Sequence, residues 1–311
     1  MAEGAVIAID VGGTSIKGAV VDAGGHFMTR VSRPTGADRG PDAVVTELQD
    51  AIAELRAQHS DARAVGVVVP GVVDAAAGVA QFAANLGFRD LPLRSLLEQA
   101  TGLPVLLEHD VHAAGVAERT IGRAAGVDDC LLAVIGTGIA GVIQAAGNNV
   151  RGATRVAGEL GHIPVWPDGE PCPCGQRGCL ERYASAASIV RRYSELSGAA
   201  VASAVEVAAL RERDPHAQGA WDEATEALAI AFATCTMLLD PALIVLAGGL
   251  SQAGEALLAP VSAALARRIS WRQPPPLALS ELGGRAGLIG AAVLTWRSLG
   301  VAELDSWPVT G

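Results

Sequence analysis

One arrangement occurs twice in this chain and limits its fold more than any other feature. An apolar run ending in a carboxylate, Ala5-Val6-Ile7-Ala8-Ile9-Asp10, leads into the turn Val11-Gly12-Gly13-Thr14-Ser15 and then a second apolar run, Ile16 to Val21. The pattern returns from Leu131 to Ile135, with the turn Gly136-Thr137-Gly138 and a second run from Ile139 to Ala145. Short apolar runs joined by glycine turns read as β-hairpins. A weak internal repeat of this kind predicts two related lobes, each presenting a glycine turn to one ligand from opposite sides. A length of 311 residues, about twice the usual domain size, has room for both.

The chain is 50% hydrophobic and 18% charged, a balance that supports a sizeable core and argues against disorder. Its net charge of −10 disfavours nucleic acid, polyanions or an anionic membrane surface as main partner, which leaves small molecules. Glu3 stands where a signal peptide would carry positive charge, and the longest apolar stretch, Ala227 to Leu239, is shorter than the ~20 residues of a membrane span. The expectation is a cytoplasmic protein. Among almost exclusively Arg cations, Lys17 is the lone lysine.

Other segments alternate between strand and helix. Helical periodicity runs from Asp42 to Gln58, with Pro41 suited to a first turn. Ala64 to Val69 is a buried strand stopped by Pro70-Gly71, and Val105 to Leu107 is another, feeding a helix from about Asp110 to Thr120. Residues 148 to 182, rich in Gly, Pro and Cys, form a long loop that must be functional or held by something. Helices dominate from Ala186 to Leu239. The strand Leu243 to Ala247 then meets Gly248-Gly249, and helices near 253–268 and 287–299 follow. The fold class is α/β, with helices on the faces of a largely parallel or mixed sheet.

Asp10 beside Gly12-Gly13-Thr14 reads two ways. It is an ordinary hairpin with a chance Asp, or a turn whose N–H groups approach phosphates while the carboxylate holds Mg²⁺. Gly136-x-Gly138-x-x-Gly141 matches the dinucleotide fingerprint by letter, but the residues after it continue as strand where that motif needs a helix, so a dehydrogenase is rejected. Cys172, Cys174 and Cys179 place three thiols in one short loop, and His162 is a plausible fourth ligand for a closed, structural Zn²⁺ site. Clustered reduced thiols without metal are the alternative. His109-Asp110 falls where a strand meets a helix, the usual place for ligand-facing residues, although an isolated Asp there also serves as a helix N-cap. Glu108 and His112 add titratable groups within a turn. Glu159 and Glu181 bracket the Cys loop, with surface solvation as the bland reading.

Taken in chain order, these motifs resemble the ROK family of sugar kinases and repressors, within the actin/hexokinase-like superfamily. The resemblance rests on Asp10-Val-Gly-Gly-Thr14-Ser-Ile-Lys17, Gly66-x3-Pro70-Gly71-x2-Asp74, Asn85-Leu86, the Asp110 segment and Gly136-Thr-Gly138. It continues through Gly158-Glu159-x-Gly161-His162, Cys172-x-Cys174-Gly-x2-Gly-Cys179-Leu-Glu181, and Asp240-Pro241 followed by Gly248-Gly249. The Glu-x-Gly-His segment with the Cys loop is its specific part.

The resemblance implies two ribonuclease-H-like lobes with a cleft between them and a zinc-bound loop. Residues 1–115 would form a small lobe, completed by a C-terminal helix from about 290–311, and residues 116–289 a large lobe. It further implies ATP-dependent phosphorylation of the 6-hydroxyl of a hexose, glucose or a close aminohexose, by a homodimer or higher homo-oligomer. Asp10, Gly12, Gly13 and Thr14, with Lys17 beside them, would face the phosphates and Mg²⁺, Gly136, Thr137 and Gly138 their other side, and Gly248 and Gly249 the adenosine. Asp110 would be the catalytic base. Gly71, Asn85, His109, Glu159, His162 and Glu181 would join Asp110 around the sugar, His162 also holding Zn²⁺ with Cys172, Cys174 and Cys179.

The sequence departs from the family at the base, where Asn-Asp-x-Asn is replaced by His109-Asp110-Val111-His112. Imidazole offers a donor and an acceptor, as Asn does, but with another reach. That puts the sugar in question: kanosamine or a cyclitol competes with glucose, and a catalytically weak sugar sensor is a further alternative. A repressor is disfavoured, because the kinase-like core begins almost at Met1.

Overall fold

The computed structural model describes residues 4–301, 304, 307 and 308. In chain order its elements are β1 (Ala5–Val11), β2 (Ser15–Asp22), β3 (Phe27–Pro34), α1 (Pro41–Gln58), β4 (Ala62–Val69), β5 (Val72–Asp74), β6 (Val79–Ala83), β7 (Phe88–Leu91), α2 (Leu93–Thr101), β8 (Val105–His109) and α3 (Asp110–Ile121). There follow β9 (Cys130–Ile135), β10 (Ile139–Ala145), β11 (Asn148–Asn149), α4 (Glu181–Ala184), α5 (Ala186–Ser197), α6 (Ala204–Leu210), α7 (Pro215–Leu239), β12 (Leu243–Ala247), α8 (Glu255–Arg268), β13 (Leu277–Leu279) and α9 (Ala286–Ser298).

The chain divides into two compact units. The first comprises Met1–Ala125, Ala153–Val156 and Arg285–Gly311, the second Gly126–Gly152 and Ala157–Gly284. Each contains one five-stranded sheet, in the orders β3-β2-β1-β4-β8 and β11-β10-β9-β12-β13. In both, the first strand of the hairpin pairs antiparallel with the second and parallel with a later strand. The repeat seen in the sequence is therefore a repeat of topology. Strands β1 and β4 are apolar almost throughout because both of their faces are covered, as parallel pairs in α/β folds require. Helix α1 starts with Pro41, whose missing N–H costs nothing in a first turn, and buries the stripe Val44, Leu48, Ala51, Ile52 and Leu55.

The expected lobe boundary at 115 is corrected by the structure. It would cut α3 in the middle, whereas the helix is continuous to Ile121 and stays in the first unit, which ends at Ala125. The second boundary lies at Gly284/Arg285 rather than 289/290, so that all of α9 joins the first unit. That helix ends at Ser298. Beyond it, the stretch expected to be helical to 311 is described at 299–301, 304, 307 and 308, where it is not helical, and otherwise lies outside the described residues. Strands β3, β5, β6, β7 and β13 had no clear apolar signature: β3 exposes every second residue and carries two arginines. Helix α2 has one, in Leu93, Leu96 and Leu97 at helical spacing, and was not among the elements expected.

Helices α3 and α9 meet at a glycine. A Cβ at Gly290 would overlap the carbonyl of Ala113 on α3. Gly290→Ala is therefore expected to force the two helices apart and to cost ~1–3 kcal/mol, lowering Tm by several degrees in a thermal melt. An unchanged Tm would mean that this contact absorbs a methyl group without strain.

Candidate active site and metal centre

Strands β1, β4 and β8 of the first unit run parallel and end together. Their register sets Asp10 opposite Val68, Val68 opposite Glu108 and Val69 opposite His109. Asp10, the Pro70-Gly71 turn and the His109-Asp110 junction thus share the carboxyl edge of one sheet, the edge where α/β proteins bind ligands. The glycine turn after β1 is braced from behind. Gly12 N–H donates to the Ser15 carbonyl (2.8 Å), and Thr35 donates its N–H to the Thr14 carbonyl (3.1 Å) and its hydroxyl to the Gly13 carbonyl (3.0 Å). Asn85 lies against the same turn, since a Cβ on Gly13 would stand 3.5 Å from its Cβ. Gly71 adopts φ 95°, where a side chain would run into the Phe82 carbonyl. Lys17 sits opposite Asp10 in the β1–β2 register.

Two carboxylates dominate the electrostatics of this edge. Asp10 is pushed up to about 6 by burial first and then by the nearby Asp110, against which the Lys17 charge acts. Asp110 is also pushed up to about 6 by burial, moderated by backbone N–H groups. Its Oδ1 accepts the Val111 N–H at 2.7 Å, and His109 Nε2 approaches the same oxygen to 3.4 Å. Asp110 is the first residue of α3 and His109 stands at the N-cap position without a side-chain cap bond, so the N-cap role weighed for Asp110 is not the one it plays. Two largely desolvated carboxylates, with the charge of Asp110 disfavouring that of Asp10, fit a divalent cation.

The second unit carries the remaining predicted residues. The turn Gly136-Thr137-Gly138 closes on a bond from Gly136 N–H to the Gly138 carbonyl (2.9 Å), and Ala186, at the start of α5, donates its N–H to the Gly136 carbonyl (2.8 Å). Strand β10 follows at once, so no helix receives this turn. Thr137, with Ala187, Val190, Ser203, Gly249 and Gln252, lines a cavity of about 560 Å³. Gly248, at φ 84°, turns the chain from β12 towards it. Few polar groups among small and apolar ones suit a heterocyclic base.

Glu181 reaches back to the same turn: its Oε2 accepts the Ile139 N–H at 2.8 Å and would lie 2.6 Å from a Cβ on Gly138. Glu159 Oε2 is 4.0 Å from His162 Nε2. The other imidazole nitrogen, Nδ1, is 3.9 Å from Cys172 Sγ, and Cys174 Sγ is 3.7 Å from Cys179 Sγ. All four donor atoms of His162, Cys172, Cys174 and Cys179 lie within 4.8 Å of one another. Tetrahedral zinc with bonds of ~2.0–2.3 Å needs donor separations of ~3.5–3.8 Å, so the set fits with little adjustment. Cys179 is pushed up to about 12 by burial and by its two neighbouring thiols, a crowding that a bound cation relieves.

The ROK family profile matches residues 6–298. The chain belongs to the ROK family. Similar members include the glucokinase of Halalkalibacterium halodurans, 34% identical over 93% of this chain and 94% of its own length, and the kanosamine kinase of Amycolatopsis mediterranei, 32% identical over 93% and 95%. A ROK family glucokinase from Streptomyces griseus, solved in complex with glucose and AMPPNP, superposes with a TM-score of 0.80 at 33% identity, covering 94% of this chain and 99% of that one. Among the described residues no helix is long and apolar enough to cross a membrane.

Two residues of this ROK chain escaped the sequence reading. Thr35, 2% exposed, has no motif around it, and its bond to Gly13 spans 22 positions. Gly287, at the start of α9, leaves room for Asp10: a Cβ there would stand 2.8 Å from Oδ2. No local signal could have linked residues 277 positions apart.

Proposed function

We propose that this ROK sugar kinase transfers the terminal phosphoryl group of ATP to the 6-hydroxyl of a hexose, with glucose or a close aminohexose as acceptor and Asp110 as general base. The observation that carries the reading is the placing of Asp10 and Asp110 on one carboxyl edge, beside a braced glycine turn. The acceptor oxygen attacks the terminal phosphorus, the bond to the bridging oxygen breaks, ADP leaves, and the hydroxyl proton passes to Asp110. Through a loose transition state, alignment and charge neutralisation matter most. Mg²⁺ held near Asp10 would neutralise phosphate charge. The first unit supplies the base, the phosphate-facing turn and, in Gly71, Asn85 and His109, sugar contacts. The second supplies Gly136 to Gly138 for the phosphates, the cavity at Gly249 for the nucleoside, and Glu159, His162 and Glu181 for the sugar. Zinc on His162 Nδ1 would fix that ring, so that Nε2 keeps its orientation.

A second reading, phosphorylation of kanosamine or a cyclitol, is favoured by His109 in place of the family's Asn and by the similarity to a kanosamine kinase. A screen of hexoses, aminohexoses and cyclitols with ATP-Mg²⁺, followed by locating the phosphate on the product, separates the two. Absence of ATP consumption with every acceptor would remove both.

The base must be ionised to accept a proton, and burial pushes its carboxyl up to about 6. The rate kcat/KM for the sugar is accordingly expected to be level near pH 8, to halve near pH 6 and to fall about tenfold per unit below it. A profile flat to pH 4.5 would show that no carboxylate of this kind governs the reaction.

A further inference from the structure

Two nearly buried titratable groups take no part in the chemistry above: Glu108, 5% exposed, at the end of β8, and His112, 6% exposed, in the first turn of α3. Burying a carboxylate and an imidazole is costly, and apolar residues of similar size would serve a packed junction at least as well. Their arrangement points elsewhere. Glu108 Oε1 accepts the backbone N–H of His109 at 2.9 Å and lies 3.9 Å from His112 Nδ1. The His112 ring stands edge-on to the His109 ring, with centroids 5.8 Å apart and planes at 85°. His109 Nε2 in turn comes within 3.4 Å of Asp110 Oδ1. Glu108 thus holds the strand-to-helix junction through the backbone of His109 and faces the His112 ring, which packs edge-on against the ring of His109. Both contacts lead through His109 to the base.

We propose that Glu108 and His112 are positioning residues for phosphoryl transfer, which act by holding His109 against Asp110. This rests on the reading of Asp110 as the base. Neither group needs to touch a substrate. With Glu108 facing Nδ1, the His112 ring has a preferred orientation, its edge supports His109, and the His109 ring restricts the carboxylate to the rotamer that also accepts the Val111 N–H. A misplacement of a reacting group by about 1 Å can cost ~10²-fold in rate, so a loosened His109 is expressed in kcat. The nucleotide-side residues of the second unit play no part in it.

A double-mutant cycle on the full-length enzyme tests the coupling. His112→Asn alone is expected to lower kcat by ~10-fold or more, with KM for ATP changed less than about threefold. His109→Ala alone lowers kcat to a similar degree, and the double variant is no slower than His109→Ala within about twofold, because His112 then has nothing left to hold. Losses that multiply across the pair would overturn the proposal, as would a His112→Asn enzyme with unchanged kcat. If His112→Asn does not fold, Glu108→Gln takes its place: it keeps an oxygen for the His109 N–H but removes the charge facing His112, and the same non-multiplying pattern with His109→Ala is required. Asp110→Asn is measured alongside. Normal turnover by that variant sinks the proposed function and this inference together, whereas an inactive Asp110→Asn with multiplying losses sinks this inference alone.

Discussion

Asp110→Asn is expected to lose ~10³-fold or more in kcat, as removal of a general base does, while ATP still binds and the protein becomes more stable. The gain in stability follows from linkage. Burial raises the folded-state pKa of Asp110 from 3.8 to about 6, so the folded protein binds this proton more tightly than the unfolded chain. The resulting penalty on the fold is absent below pH 3.8, grows through the interval, and is fully present above pH 6. A shift of that size corresponds to at most ~3 kcal/mol. The side chain is 29% exposed and retains the Val111 N–H bond, which reduces the expected figure to ~1–2 kcal/mol. A neutral amide at position 110 should therefore raise Tm by a few degrees at pH 7.5 and leave it unchanged at pH 3.5. Calorimetry at the two pH values, beside a coupled ADP assay, checks both halves. An Asn variant with near-normal turnover would remove Asp110 as the base, and one that melts lower at neutral pH would show that its ionised carboxylate holds the junction together.

Loss of the candidate metal centre is the second large effect expected. Cys179 is fully buried and its sulfur stands 3.7 Å from that of Cys174. Cys179→Ser replaces a thiolate donor with a poor zinc ligand at a fully buried position. The free energy of a structural zinc site, ~10 kcal/mol or more in small zinc-folded peptides, is in part folding free energy. A domain with its own hydrophobic core loses a fraction of that. The expected outcome is zinc content falling from one atom per chain to near zero, Tm falling by roughly 10 °C, and KM for the sugar rising ~10-fold or more. ATP binding, for which the proposed function uses the cavity at Thr137 and Gly249, should change little. Prolonged chelation of the wild-type chain should reproduce the pattern. A metal-free protein with unaltered sugar KM would separate zinc from substrate binding altogether.

The two effects differ in how legible their causes were. The candidate metal set was readable because its three cysteines fall within eight residues with His162 upstream, so loop geometry alone brings them near one another. Asp10 and Asp110 were readable individually, each at the end of an apolar strand. Their proximity was not, since it depends on β1, β4 and β8 lying side by side in parallel. Similarly, His109 and His112 stood out as departures from a motif, but the contact of one ring with Asp110, the bond from His109 N–H to Glu108 and the edge-on packing of the two rings exist only in the folded junction.

What the amino-acid order determined alone are the features set by neighbours: the paired hairpins, the long helices with apolar stripes, the strand that ends in Asp10, and the cysteine loop. Periodicity and turn chemistry act over a few residues, and no tertiary contact is needed to express them. The tertiary structure alone decided which distant residues complete them. Thr35 braces the glycine turn, Gly287 leaves space for Asp10, Gly290 admits α3, and the first unit keeps both α3 and α9 whole. These depend on close packing between segments far apart in sequence, where a single methyl group is felt and where no local pattern announces the partner.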